Sequence, residues 1–286
     1  MLTNKVSEIM TPEVITTGMS STVFDVMNIM AERNVGGVII TDGQSPVGIF
    51  TEQDVLRRVM NKPLDSKKTS IKQVMSTPIR AIRKETHIVD ALGKMYKSKF
   101  RHFLIRGEKK ELIGIISMRD ILKFVVKIGW GLQESKTIGS IMSTRLVTVD
   151  VSQSIHETIE IMKKKNTGCV IVLLDGEPKG IFTERDVLKR VAIKNVDTRK
   201  TPVREVMTGE FVAMARSVLI GEVLAEMHQR GFRHMPIRED QGRIVGIVSM
   251  RHVLRYAKAL DVDESVRKAW KEIEEFFDSS EHYTPG

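Results

Sequence analysis

The chain has 286 residues, 41% of them apolar and 28% charged, a composition that fits about two ordinary folded domains and excludes a disordered or fibrous chain. A lone cysteine, Cys169, excludes an internal disulfide. The N-terminus has no apolar leader and no run reaches the ~20 apolar residues of a membrane span, so a cytoplasmic protein without membrane contact is expected. The net charge of +9 is uneven: residues 61–110 hold fourteen Lys/Arg against four Asp/Glu, while residues 261–286 hold eight acids against three bases. The surplus favours anionic partners without separating nucleotide phosphate from nucleic acid or an acidic protein.

In chain order, a segment ending in Ile9 and Met10 leads into a short extended run at Val14 to Thr16. Apolar spacing at Val23, Val26, Met27 and Met30 then predicts a helix. Two β-rich runs follow, Val38 to Ile40 and Val47 to Phe50, around a turn at Asp42 and Gly43, and a second helix starts at Thr51. The same series returns three times. Extended runs recur at Ile79 to Ile82, Leu146 to Val149 and Phe211 to Met214, and second helices at Ser117, Thr183 and Ser249. The 16 methionines, several beside Ile or Val as at Met75, Met142 and Met207, read as core filler.

The series is a repeat at two scales. GIFTEQDVLRRV from Gly48 matches GIFTERDVLKRV from Gly180 at ten of twelve positions, with an offset of 132. The same offset relates Arg101 and His102 to Arg233 and His234, and Met10 and Met75 to Met142 and Met207. Within each half, Gly48 to Asp54 answers to Gly114 to Asp120 at an offset of 66. Units of about sixty residues are marginal alone, so they are expected to pack in pairs, sheet against sheet. Expected boundaries are 1–62, 63–128, a linker at 129–137, 138–195, 196–258 and a tail at 259–286.

The pattern Gly, two apolar residues, Thr/Ser, two residues, Asp occurs intact three times and once with His252 in the last place. Two readings of Thr51/Asp54, Ser117/Asp120 and Thr183/Asp186 stand side by side. One is a helix cap with an acidic partner three residues on, which needs no ligand. The other is a site: a helix start offers N–H groups and a hydroxyl, and a carboxylate beside it accepts the hydroxyl protons of a ribose. Arg101-His102 and Arg233-His234, at strand entries, are either phosphate ligands or solvated strand ends.

The order of a Val/Ile-Met leader, then RHF or RHMP, then GIFTExD or a Gly-to-SMR stretch, strongly resembles CBS domains over roughly residues 5–258. The resemblance implies an α/β (α+β) fold of four β-α-β-β-α CBS units, paired into two Bateman modules that form a disc. In architecture it is also similar to the nucleotide-sensing gamma subunit of AMP-activated protein kinase. It implies AMP, ADP, ATP or S-adenosylmethionine as ligand, with no cofactor required and no metal. By position, Asp54, Asp120 and Asp186 would hold the ribose, and Thr51, Ser117, Thr183 and Ser249 would lie beside sugar and phosphate. Arg101, His102, Arg233 and His234 would meet phosphates. The base would be flanked by the segments Thr11 to Ile15, Ser76 to Ile79, Ser143 to Val147 and Thr208 to Val212, with Met118 and Met250 near it. His252 in place of the fourth acid implies poor ribose binding there.

No His/Cys ligand spacing, nucleophile motif or P-loop is present, so an enzyme is not expected. The favoured expectation is a nucleotide sensor acting on an unidentified effector protein, as a monomer or a homodimer of discs. A nucleic-acid or polyanion binder using the basic 61–110 stretch is the alternative, and a constitutive scaffold whose Thr/Asp pairs only cap helices is a third. Gly129 to Glu134 reads as the linker between modules. Val266, Trp270, Ile273 and Phe277 space an amphipathic helix, which either packs back on the repeats or docks a partner.

Overall fold

The structure, a computed structural model, describes residues 5–98, 100, 102–109, 111–118, 120, 121, 124, 136–249 and 252. The linker around Gly129, the stretch carrying Val266 and Trp270, and the site candidates Arg101 and Met250 lie outside them.

Each repeat builds one three-stranded mixed sheet. In the first, β1 (Thr16–Gly18) runs parallel to β2 (Gly37–Asp42), which pairs antiparallel with β3 (Ser45–Thr51). Helix α1 (Val23–Glu32) intervenes between β1 and β2, and α2 (Glu52–Asp54) follows β3. The second repeat has β4 (Ala81–Arg83), α3 (Ile88–Ser98), β5 (His102–Arg106) and β6 (Leu112–Ser117). The third has β7 (Thr148–Asp150), α4 (Ile155–Lys165), β8 (Cys169–Leu174), β9 (Glu177–Thr183) and α5 (Glu184–Asp186). The fourth has β10 (Met214–Ala215), α6 (Ile220–Gln229), β11 (His234–Arg238) and β12 (Ile244–Ser249). The α+β class and the order within each repeat are those expected. The first strands begin slightly further along than the apolar runs, with β1 at Thr16 and β7 at Thr148.

Local chemistry accounts for these elements. Helix α1 starts on a capping box between Thr22 and Asp25, and α4 on one between Ser154 and Glu157. Helix α4 stops at Asn166, whose φ of 51 is left-handed, a stop that asparagine tolerates. At the β8–β9 hairpin both turn residues, Asp175 and Gly176, have positive φ, the geometry that matches strand twist. After Asp54 and Asp186 the second helices widen into π-type turns, Val55–Val59 and Val187–Ala192. Such widening recurs at functional sites.

The chain divides into two compact bodies that do not follow its halves. One holds residues 15–79 and 144–213, the first and third repeats; the other holds the described residues of 1–14, 80–143 and 214–286, the second and fourth. In the one-three body a single core joins both repeats: Met27, Met30, Phe50 and Val59 pack with Ile159, Met162, Phe182 and Val191. In this body the join is helix on helix: the apolar stripes of α1, α4 and the π-type turns are the faces buried. Full burial of each such side chain contributes ~1.5–3 kcal/mol. Polar groups tie the join: Lys163 Nζ donates to Met60 O at 2.7 Å, and Asn61 Nδ2 to His156 O at 3.0 Å. In the two-four body α3 buries Ile88, Leu92 and Met95, and α6 buries Val223, Leu224 and Met227.

Candidate functional site

All four Gly-to-Asp/His motifs fold alike, as the end of a strand turning into a helix. Thr51 N and Oγ1 donate to Asp54 Oδ2 at 2.9 and 2.7 Å, and Asp54 N returns a bond to Thr51 Oγ1 at 3.4 Å. Ser117 and Asp120 repeat this at 2.8, 2.6 and 3.3 Å, and Thr183 and Asp186 at 2.9, 2.7 and 3.3 Å. The capping reading of these pairs therefore holds. It uses only one oxygen of each acid. In the fourth motif Ser249 N donates to His252 Nδ1 at 3.1 Å, so the imidazole takes over the cap as acceptor and carries its proton on Nε2.

Each motif is completed by a leader from another part of the sequence. Ser76 exchanges backbone bonds with Ile49, Thr11 with Ile115, Thr208 with Ile181 and Ser143 with Ile247, at 2.7–3.0 Å. The motif glycine exists for this contact. A Cβ built on Gly48 would lie 2.7 Å from Met75 Sδ, on Gly114 2.7 Å from Met10 Sδ, on Gly180 2.5 Å from Met207 Sδ and on Gly246 2.6 Å from Met142 Sδ. Each leader methionine thus packs on its motif glycine, and Met75 and Met207 also belong to the one-three core, where methionine is the filler expected. Met10, Met142 and Met207 are only half-buried.

The other oxygen of each acid differs between the bodies. Asp54 Oδ1 accepts from Ser76 Oγ at 2.7 Å and meets Arg58 Nε at 3.3 Å. Asp186 Oδ1 accepts from Thr208 Oγ1 and meets Arg190 Nε, both at 3.4 Å. The same guanidinium groups reach the leader backbone: Arg58 Nη1 donates to Met75 O at 2.5 Å, and Arg190 Nη1 donates to Met207 O. Both acids are buried, Asp54 at 6% and Asp186 at 8% exposure. Asp120 is half-buried, and among the described residues nothing donates to its Oδ1. Four residues after Asp120 the chain has Phe124 where the others have arginine.

Strand register places the histidines. His102 is directly opposite Ser117, and His234 opposite Ser249, whereas Gly37 faces Thr51 and Cys169 faces Thr183. Opposed residues of an antiparallel pair hold their Cβ atoms about 5 Å apart, so His102 stands beside the Ser117/Asp120 helix start. Burial pulls the Arg233 guanidinium, next to His234, down to about 10, which leaves it charged at neutral pH.

Among the remaining candidates, Thr11, Ser76, Ser143 and Thr208 are the leader residues that meet the motifs. Ile15 and Val147 instead supply carbonyls to Ile39 and Ile171 in the one-three body. Ile79 and Val212 are half-buried, and so is Met118, the residue after Ser117. Burial pushes the Cys169 thiol up to about 12. No group of three or more metal-ligating side chains gathers among the described residues, and none of their helices is long and apolar enough to cross a membrane. Arg58 and Arg190 escaped the sequence reading, although their place four residues after Asp54 and Asp186 was the signal.

The CBS domain family model matches residues 6–61, 71–127, 138–193 and 203–259. The CBS domain-containing protein CBSCBSPB1 of Arabidopsis thaliana is 26% identical over 283 residues, covering 86% of this chain and 52% of the relative. The meiotically up-regulated gene 70 protein of Schizosaccharomyces pombe is 24% identical, covering 94% of this chain and 44% of the relative. The chain thus spans about half the length of these curated relatives. Among solved structures, protein MJ1225 of Methanocaldococcus jannaschii shares the fold with a TM-score of 0.75 at 15% identity, covering 88% of this chain and 99% of its own.

Proposed function

Because this chain belongs to the CBS-domain family, we propose that it is a regulatory protein binding AMP, ADP, ATP or S-adenosylmethionine at a CBS helix start. Ligand occupancy is relayed to a partner protein, and the chain itself performs no catalysis. The observation that carries the reading is the Asp120 centre. Its Oδ2 is held by Ser117 N and Oγ, while Oδ1 receives no bond from the described residues. A ribose diol presents two hydroxyl donors, and a fixed, half-buried carboxylate oxygen is the acceptor that such a pair requires. His102, opposite Ser117, provides a polar group for the phosphate side. MJ1225 bears the name of a candidate archaeal homologue of g-AMPK, which is consistent with nucleotide sensing. Relay requires differential affinity: turning a 1:99 mixture of packings into 99:1 takes about 10⁴-fold tighter binding to one of them.

Calorimetric titration of nucleotide-stripped protein with the four ligands, beside Asp120→Asn, tests the reading. Saturable binding that weakens in the variant supports it. A folded, stripped protein that binds none of them rules it out.

A second reading rests on a separate observation. Lys62, Lys67, Lys68 and Lys72 are all exposed, and their counterparts at the 132 offset, Lys194, Arg199, Lys200 and Arg204, are basic and exposed too. Both loops reach His156, whose carbonyl accepts from Asn61 and whose N–H donates to Thr198 O at 2.8 Å. Such a surface suits a polyanion. Binding to single-stranded nucleic acid that falls steeply between 50 and 200 mM salt, on the order of 10³-fold, would mark it.

A further inference from the structure

Three of the four helix starts carry the same Ser/Thr and Asp, yet their acids differ in spare hydrogen-bonding capacity. An ionised carboxylate has roughly four lone-pair sites. Asp54 has four donors on it: Thr51 N and Oγ1 on one oxygen, Ser76 Oγ and Arg58 Nε on the other. Asp186 has the equivalent four from Thr183, Thr208 and Arg190. Among the described residues Asp120 has two, both from Ser117.

We infer that Arg58 and Arg190 are built-in substitutes for a ligand: they close the Asp54 and Asp186 centres, and ribose recognition is confined to Asp120 in the two-four body. The inference rests on the adenosine reading above and narrows it from three acids to one. Each arginine has two grips. Its Nε neutralises the acid and its Nη1 holds the leader carbonyls, Val74 and Met75 in one repeat and Val206 and Met207 in the other. A ribose at Asp54 would therefore have to displace a hydroxyl and an ion pair, and also unlatch the leader that packs on Gly48. Because those groups belong to the same chain, they compete at a high effective concentration that no dilution lowers.

Other differences fall along the same division. The +4 position holds arginine in repeats one and three but Phe124 and Tyr256 in repeats two and four. Among the bonds of the described residues, Asp120 has none to Thr11, the counterpart of Ser76. The strand residue opposite the motif hydroxyl is a histidine only in the two-four body. His252 accepts from Ser249 N on Nδ1, so an imidazole stands where the other motifs place a carboxylate with a second acceptor oxygen. The one-three body is thereby a latched scaffold, and a single ribose acceptor remains in the other.

The test is the stoichiometry of AMP and ATP binding by calorimetry on the whole chain, with thermal melts confirming that each variant folds. Wild type is expected to take one equivalent. Asp54→Asn/Asp186→Asn should bind within about twofold of wild type, and Asp120→Asn about a hundredfold more weakly, the loss of two charge-assisted bonds. Arg58→Met/Arg190→Met should admit two further equivalents. Independently, the Arg58 and Arg190 Nε–H resonances should stay in place when wild type is saturated. Three equivalents in wild type, or ligand-induced loss of those resonances, would overturn the closure and leave the adenosine reading intact. Binding by neither wild type nor the arginine variant overturns both.

Discussion

Asp54→Asn separates a saturated acid from a half-used one without any ligand present. The carboxamide has one acceptor atom and one donor atom. Its oxygen stays on Thr51, whose N–H and hydroxyl both donate at under 3 Å. Its nitrogen then faces Ser76 Oγ and Arg58 Nε, where the carboxylate oxygen stood at 2.7 and 3.3 Å. Ser76 can rotate to accept, but Arg58 cannot and must turn away. The Arg58 side chain is 47% exposed, so water compensates much of the ion pair, which is then worth about 1 kcal/mol or less. Exchanging the charge-assisted Ser76 bond for a neutral one, and releasing the leader held by Nη1, add about 1–2 kcal/mol. The sum is about 1–3 kcal/mol, or a fall in Tm of ~4–12 °C at about 4 °C per kcal/mol for a body of this size. In Asp120→Asn the oxygen keeps the Ser117 bonds and the nitrogen meets no described donor, so the cost is about 0–1 kcal/mol, under ~4 °C. Differential scanning calorimetry of the two variants decides. Equal shifts, or an Asp54→Asn melt within ~2 °C of wild type, would refute the reasoning.

Gly180→Ala places a methyl 2.5 Å from Met207 Sδ and 2.8 Å from Thr208 O, so urea unfolding should show a loss of about 1–3 kcal/mol. Adding Met207→Ala should restore less than half of it, since the carbonyl contact remains. His252→Asp supplies the missing acceptor with Tyr256, not arginine, four residues on, and calorimetry should register one additional nucleotide equivalent. The Cys169 thiol is 3% exposed and raised to about 12 by burial, so at pH 8 a thiol-reactive dye should label the native protein more than ~100-fold more slowly than the urea-unfolded chain. The sign of its linkage is that of a raised acid: its contribution to stability is complete below the unfolded thiol's ordinary value. It is lost as pH climbs from there toward about 12, visible as a falling urea midpoint that Cys169→Ser removes.

What the sequence determined by itself is whatever a few neighbouring residues decide. The 132-residue offset made the fourfold repeat legible, and the Thr51/Asp54, Ser117/Asp120 and Thr183/Asp186 spacing made the caps legible, because such bonds close within one helical turn. Apolar spacing at Val23, Val26, Met27 and Met30 marked the buried face of α1 for the same reason. Even the +4 arginines were there to be compared with Phe124 and Tyr256. Their meaning was not, since it depends on partners far along the chain. Ser76 comes to Asp54 from 22 residues away, Thr11 reaches Ile115 across most of two repeats, and Lys163 meets Met60 from 103 residues away. Four near-identical leaders and four near-identical strands are locally compatible in many pairings. Only tertiary packing decided that repeats one and three share a core, that each leader methionine lies against its particular glycine, and that two of three equivalent acids are saturated while Asp120 keeps an oxygen in reserve.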